Sequence, residues 1–275
     1  MSRQAQLAAL AAPGALVLGL FFFVPLAAVW LDALAEPSSF ARVFDSPLFW
    51  RSLGGSAMLT LVASAFSLIV GTLVALHLSR LSERTRQALM FAIALPLTFS
   101  GLIVAYGFIL AYGRAGFVTQ TLAALGADPV ALAAILYSPI GLAFASSYYL
   151  IPRVVMLVLP VLVNFDWSQI AAAESLGARR RQAIVHVMFP QLAPTLVASF
   201  CLVAAVVFGA YGTALALVGT RVSILPLQLY SMIAETGSDF PAAAALSIIL
   251  TGFCSSIMAV GELFAASREN HEAGA

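Results

Sequence analysis

The chain has 275 residues, of which 62% are hydrophobic and 9% charged, far from the roughly 25% charged expected of a soluble domain. A formal net charge of +1 supplies no global basic field for nucleic acid, so charge must act through local placement. All 13 basic residues are arginine, which excludes the lysine-bearing phosphate loop of ATPases and lysine Schiff-base chemistry; if ATP drives this protein, another chain binds it.

A helix that crosses a hydrocarbon core about 30 Å thick needs about 20 mostly apolar residues. Six stretches qualify, which predicts an all-α polytopic membrane protein with one transmembrane domain over residues 14–265. Residues 1–13 form a short amino-terminal segment containing Arg3, and the first span, Gly14 to Leu31, is longer than a typical signal-peptide core and reads as a retained signal anchor. The second span runs from Gly55 to Leu78, with Ala63, Ser67 and Gly71 on one stripe suited to close helix contact. The third, Ala88 to Tyr112, contains Pro96, and the fourth, Ala131 to Leu159, contains Pro139 and Pro152; local kinks are expected at each. The fourth run is long enough to begin or end outside the bilayer, or to tilt. The fifth, Ala193 to Val218, carries a second small-residue stripe of Ala205, Gly209 and Thr213, and the sixth runs from Pro241 to Phe264 ahead of a polar tail over residues 266–275. Between the last two, Gly219 to Phe240 includes the apolar stretch Leu225 to Ile233, too short to cross and read as a surface or re-entrant helix. Cys201 and Cys254 lie in separate apolar runs and read as buried free thiols.

Arginine placement sets the direction. The amino terminus, second loop, fourth loop and tail hold Arg3, then Arg80, Arg84 and Arg86, then Arg179, Arg180 and Arg181, then Arg268, against Arg42, Arg51, Arg114 and Arg221 on the other side. Positive-inside reasoning puts both termini and these two loops in the cytoplasm.

The fourth loop, residues 164–190, is the longest of these connections. Asp166 followed by Gln169 resembles a capping box, and Ile170, Ala173 and Gly177 mark the face and end of a short helix. A second short helix is expected from about Ala178 to Met188, with Ile184, Val187 and Met188 on one face, Arg180 and Arg181 on another, and Pro190 as its stop. Physics alone gives a helix, a glycine turn and a helix at the membrane surface: a knob whose ordered apolar face, bordered by arginines, can dock on a partner.

At this point the chain resembles the permeases of binding-protein-dependent ABC importers, of the fold shared with the methionine and maltose importers. These carry a cytoplasmic loop of pattern E-A-A-x-x-x-G-x9-I-x-L-P, and Ala171, Ala172, Ala173, Gly177, Val187, Phe189 and Pro190 fall at its spacings. Ala171 replaces the glutamate, Val187 the isoleucine and Phe189 the leucine; Glu174 is acidic but comes three positions late, one helical turn from the place of the lost carboxylate. The resemblance implies a bacterial inner-membrane permease with no cofactor and no catalytic role. Its implied partners are cytoplasmic ABC ATPase subunits, a second permease that is identical or homologous, a periplasmic solute-binding protein and membrane lipid. Within the family the chain is similar to the branch serving polyamines, ferric iron, thiamine and aminoethylphosphonate, with a polyamine-like cation as the leading expectation.

Polar groups at membrane depth point to the solute path. Arg153 reads either as a pathway residue or as a side chain reaching the headgroups or the carbonyls freed near Pro152. Tyr106, Tyr148 and Tyr149, with Tyr112, Tyr211 and Thr98, are further candidates, each also explicable as an interfacial anchor. His77 and His186 stand without a second ligand at metal spacing, and His271 lies in the tail. A secondary transporter or channel is the alternative, but it would place coupling carboxylates in the spans, where only Glu262 approaches one; a membrane enzyme would need a polar cluster at one depth.

Overall fold

The computed structural model describes the backbone over residues 3–234 and 239–273, and side chains over residues 11–219, 221–234 and 239–265. The side chains of Arg3, Arg268 and His271 lie outside those residues. Regular structure among the described residues is helical throughout, and six helices are long and apolar enough to cross a membrane. In chain order the helices are α1 (3–35), α2 (Ser38–Asp45), α3 (Pro47–Ser79), α4 (Glu83–Ala94), α5 (Gly101–Tyr112), α6 (Phe117–Ala124) and α7 (Pro129–Leu136). They continue with α8 (Pro139–Asn164), α9 (Ser168–Ser175), α10 (Arg180–Phe208), α11 (Gly212–Val218), α12 (Leu225–Ala234) and α13 (Phe240–Ala273).

Helices α3 and α8 form the centre, with α10 packed across both. The predicted stripe on the second span explains the first contact: Ala63, Ser67 and Gly71 are buried, and a Cβ on Gly71 would lie 2.7 Å from Val154 Cβ and 3.2 Å from the Ile151 carbonyl. Only a glycine lets these backbones approach so closely, which is how helices associate where lipid removes the hydrophobic gain. A second row on α3, Ser52, Ser56, Thr60 and Ser64, is also buried, and Ser56 Oγ accepts from the Leu225 amide at the start of α12. The predicted fifth-span stripe is interrupted, because the helix breaks at Gly209. The close contact between α10 and α13 falls instead at Gly261, where a Cβ would lie 2.6 Å from Cys201 Cβ. Helix α13 in turn carries α1, whose Phe21 to Val24 stretch is exposed, as a lipid-facing helix requires.

Prolines shape the spans in three ways. Pro139 does not kink the fourth span but starts it: Ser138 Oγ accepts from the Gly141 amide, and the preceding residues fold as the separate helix α7, capped by Asp128 on the Val130 amide at 2.8 Å. Pro96 does more than kink the third run. The chain passes through a 3-10 turn at Leu95–Thr98 and extended Phe99 and Ser100 before α5 begins, so Ala88 to Tyr112 is two helices, and the stretch long and apolar enough to cross is Gly101–Ala124, which takes in α5, the turn after it and α6. Pro25 and Pro190 sit inside continuous helices. Each follows a π turn, Gly19–Phe23 or Ile184–Met188, closed by a bond from the residue before the proline to the carbonyl five back. The widened turn moves aside the carbonyl that the proline ring would strike, so Pro190 does not stop the helix as the sequence suggests.

The connections sort onto two sides. Arg42 on α2 makes a forked pair with Asp239 at 2.9 and 3.0 Å and also binds Glu36 at 2.8 Å, tying the first connection to the fifth. Arg80 lies over the Trp167 ring at 5.7 Å, tying the second connection to the fourth. The buried start of α12, Leu225 to Gln228, tucks between α3 and α13, and the helix is too short to cross, as its length in the sequence indicates.

Candidate functional site

The first candidate is the knob between α8 and α10. Asp166 opens it by accepting from the Ser168 amide at 2.9 Å, and bonds from the Ser168 side chain and backbone hold its carboxyl below the usual aspartate range. Gln169 does not complete a capping box; its Oε1 accepts from Gln191 Nε2 at 2.8 Å, bracing α9 against α10. Helix α9 ends in a Schellman turn. The Ala178 amide donates to the Ala173 carbonyl and the Gly177 amide to Glu174, both at 3.0 Å, with Gly177 at φ +93°. The Arg179 amide then donates to Gln182 Oε1 at 2.9 Å, and α10 begins at Arg180.

Ile170 is 4% exposed and Ala173 half-buried, so α9 rests on the core by the predicted face. Ile184, Val187 and Met188 share a face as expected, but that face packs inward and is not the one that projects. Outward stand Ala171, Ala172, Arg180, Arg181 and Leu176, the last 90% exposed at the tip. Glu174 meets Arg180 at 3.9 Å, an exposed pair that contributes on the order of 0–1 kcal/mol. Phe189 points sideways into an apolar groove shared with Leu73 and Phe200, and Pro190 lies within α10. Leu176 was not singled out from the sequence. Its signal was an apolar residue directly before the helix-ending glycine, where the turn lifts a side chain away from the core.

The second candidate is a cleft of about 210 Å³ lined by Phe99, Gly101, Tyr149, Arg153, Tyr211 and Thr213, among others. Two broken helices meet there: α5 starts at Gly101 under a Ser100 cap, α10 breaks at Gly209 to Tyr211, and Thr213 Oγ1 donates to the Gly101 carbonyl at 3.1 Å. Irregular backbone at membrane depth survives only where protein covers it or where it lines a cavity. Arg153 Nη1 donates to the Tyr149 carbonyl at 2.7 Å, and its guanidinium lies 5.5 Å from the Tyr149 ring centre. Arg153 thus binds a carbonyl of its own helix, although the carbonyl that Pro152 leaves without its helical donor is that of Tyr148, one residue earlier; Asn164 ends α8 about 16 Å farther on and Pro139 begins it about 21 Å back, at 1.5 Å per residue.

Tyr148 faces a neighbouring cleft of about 500 Å³ with Phe108, Tyr112 and Phe144, so it stands apart from Tyr149. Tyr106 is exposed and lines neither cleft, and Thr98 spends its hydroxyl on the Leu95 carbonyl. Tyr211 does join the Arg153 cleft and contacts Tyr230 of α12 at 5.3 Å between ring centres. His186 bonds the Gln182 carbonyl, and among the described residues no three His, Cys, Asp or Glu residues group to hold a metal.

Residues 67–269 match the family described as binding-protein-dependent transport system inner membrane component. Among curated proteins, the chain is 30% identical over 244 residues to the putative 2-aminoethylphosphonate transport system permease protein PhnU of Salmonella typhimurium strain LT2, covering 85% of this chain and 84% of that one. It is 26% identical over 246 residues to the spermidine/putrescine transport system permease protein PotB of Salmonella typhimurium strain SL1344, covering 87% and 82%. Its fold aligns at a TM-score of 0.76 and 19% identity with a chain of a bacterial alginate ABC transporter, crystallised with an alginate pentasaccharide-bound periplasmic protein, over 94% and 93% of the two chains.

Proposed function

The chain belongs to the family of binding-protein-dependent transport system inner membrane components, and from that premise we propose that it is one permease of an ATP-driven importer. It forms half of a translocation path for a small solute and couples to a separate cytoplasmic ATPase through the knob at residues 164–190. The observation that carries this reading is the glycine-turned helix pair, braced to the spans by Gln169–Gln191 and Arg80–Trp167, which projects Leu176, Arg180 and Arg181. A rigid attachment of that kind can pass a shift of the ATPase to α8 and α10, because two states are biased only through contacts that differ between them.

The remaining parts follow from the same reading. Both termini face the cytoplasm of a bacterial inner membrane, a second permease completes the path, and a periplasmic binding protein delivers solute near α12. The chain itself performs no chemistry and needs no cofactor. For the solute, the sequence resemblance and the spermidine/putrescine relative favour a polyamine-like cation, whereas the 2-aminoethylphosphonate relative favours an anion-bearing solute. A photo-crosslinker at Leu176 tests the coupling role when the chain is co-expressed with its operon partners. It should capture the ATPase, while the same group at Leu125, 82% exposed on the opposite side, should not. Equal capture at both positions, or capture at Leu125 alone, would remove the knob from the mechanism.

A further inference from the structure

We propose that the solute carried by this permease is an oxyanion, held in transit by Arg153. The inference rests on the importer reading for its direction of transport, and on the cleft for its chemistry. Arg153 is the one ionisable side chain with a full charge among the residues lining that cleft, and no carboxylate among the described residues reaches it. A guanidinium has five N–H donors in a planar fork. One is used on the Tyr149 carbonyl, and the others have no protein acceptor among the described residues. A charged group so deep in a span is costly unless something answers it, and a planar fork is matched best by a tetrahedral or planar oxyanion that accepts two bonds at once.

The surroundings point the same way. Helix α5 brings its amino end, positive by its dipole, to the cleft at Gly101. The hydroxyl-bearing Tyr149, Tyr211 and Thr213 add polar lining without negative charge. A polyamine would meet a fixed positive charge in this cleft, and one ring that could attract a cation, Tyr149, is already occupied by the guanidinium. Tyr230 on α12, its ring 5.3 Å from that of Tyr211, links this cleft to the fifth connection, the side from which solute enters on the importer reading.

The test reads Arg153 directly. The full chain in lipid nanodiscs is treated with butanedione, a small arginine reagent, and modification of each arginine is followed by peptide mass spectrometry with 2-aminoethylphosphonate, inorganic sulfate or spermidine present. The oxyanions should slow modification of Arg153 about tenfold at ten times their dissociation constant, without slowing Arg180 or Arg181, and spermidine should leave Arg153 unprotected. Protection by the phosphonate alone, or by sulfate as well, tells an organic from an inorganic solute. Protection by spermidine, protection by none of the three, or an Arg153 that never reacts would overturn the proposal. No ATP or ATPase is involved, so this result and the association of the chain with an ATPase can each fail without the other.

Discussion

Replacing Gly177 isolates the knob from the spans. At φ +93° its backbone occupies a region that other residues enter at a cost of about 1–2 kcal/mol, and more for a β-branched side chain. A Cβ there would meet nothing within 4 Å, so the whole penalty is conformational and none of it is a clash. Little holds the turn against that strain, because Ile170 is the one buried residue of α9. The penalty should therefore be relieved locally, by loss of the Ala178–Ala173 and Gly177–Glu174 bonds, while the spans stay intact. If the docked state requires the turn, Gly177→Val should weaken ATPase binding by at least about 5- to 30-fold, the factor that 1–2 kcal/mol represents, with Gly177→Asn nearer native because asparagine tolerates left-handed backbone. Binding would be measured in nanodiscs, and hydrogen exchange at the Ala178 amide would report the turn. Exchange and affinity both unchanged in the valine variant would refute the argument; faster exchange with unchanged affinity would separate the turn from docking.

Helix contact and surface charge give two further expectations. Gly71→Ala, forced against Val154, should cost about 1–3 kcal/mol, whereas Gly107→Ala, with open space around the new Cβ, should be neutral or stabilise by up to about 1 kcal/mol; equal denaturation midpoints for the pair would contradict the packing account. On the opposite face, the Arg42 hydrogen bonds hold the Asp239 and Glu36 carboxyls below their ordinary 3.8 and 4.5. Groups with a lowered folded value stabilise at neutral pH and lose that contribution as pH falls through the folded value, so melting temperature should drop below about pH 4. Asp239→Asn should flatten that part of the profile, and an identical profile would show the pair to be inconsequential.

Length and hydropathy made six crossings legible, because the hydrocarbon core enforces one length on every apolar helix. The stripe at Ala63, Ser67 and Gly71 and the turn at Gly177 were legible for the same kind of reason: close approach and left-handed backbone each demand a glycine or another small residue. What the apolar runs concealed was their interruption. In lipid a broken helix is as hydrophobic as a whole one, so Phe99–Ser100 and Gly209–Tyr211 left no mark on hydropathy, only the small signals of Pro96, Ser100 and paired glycines. Pro190 misled in the other direction, since a π turn can seat a proline in a continuous helix. The knob's inward and outward faces were exchanged because the helical period identifies a face but not what covers it. Arg153 stood out by its charge, but its partners, Phe99 from one broken helix and Tyr211 and Thr213 from another, are brought to it only by tertiary packing.

The most direct test of the importer reading is to express the chain with the products of its neighbouring genes, purify through a tag on this chain from solubilised membranes, and identify what accompanies it. A soluble ATPase should be recovered in stoichiometric amount, with or without a second permease, and its recovery should fall in the Gly177→Val variant. A chain that arrives alone, and that transports solute in liposomes with no ATP, would contradict the account and return it to the secondary transporters.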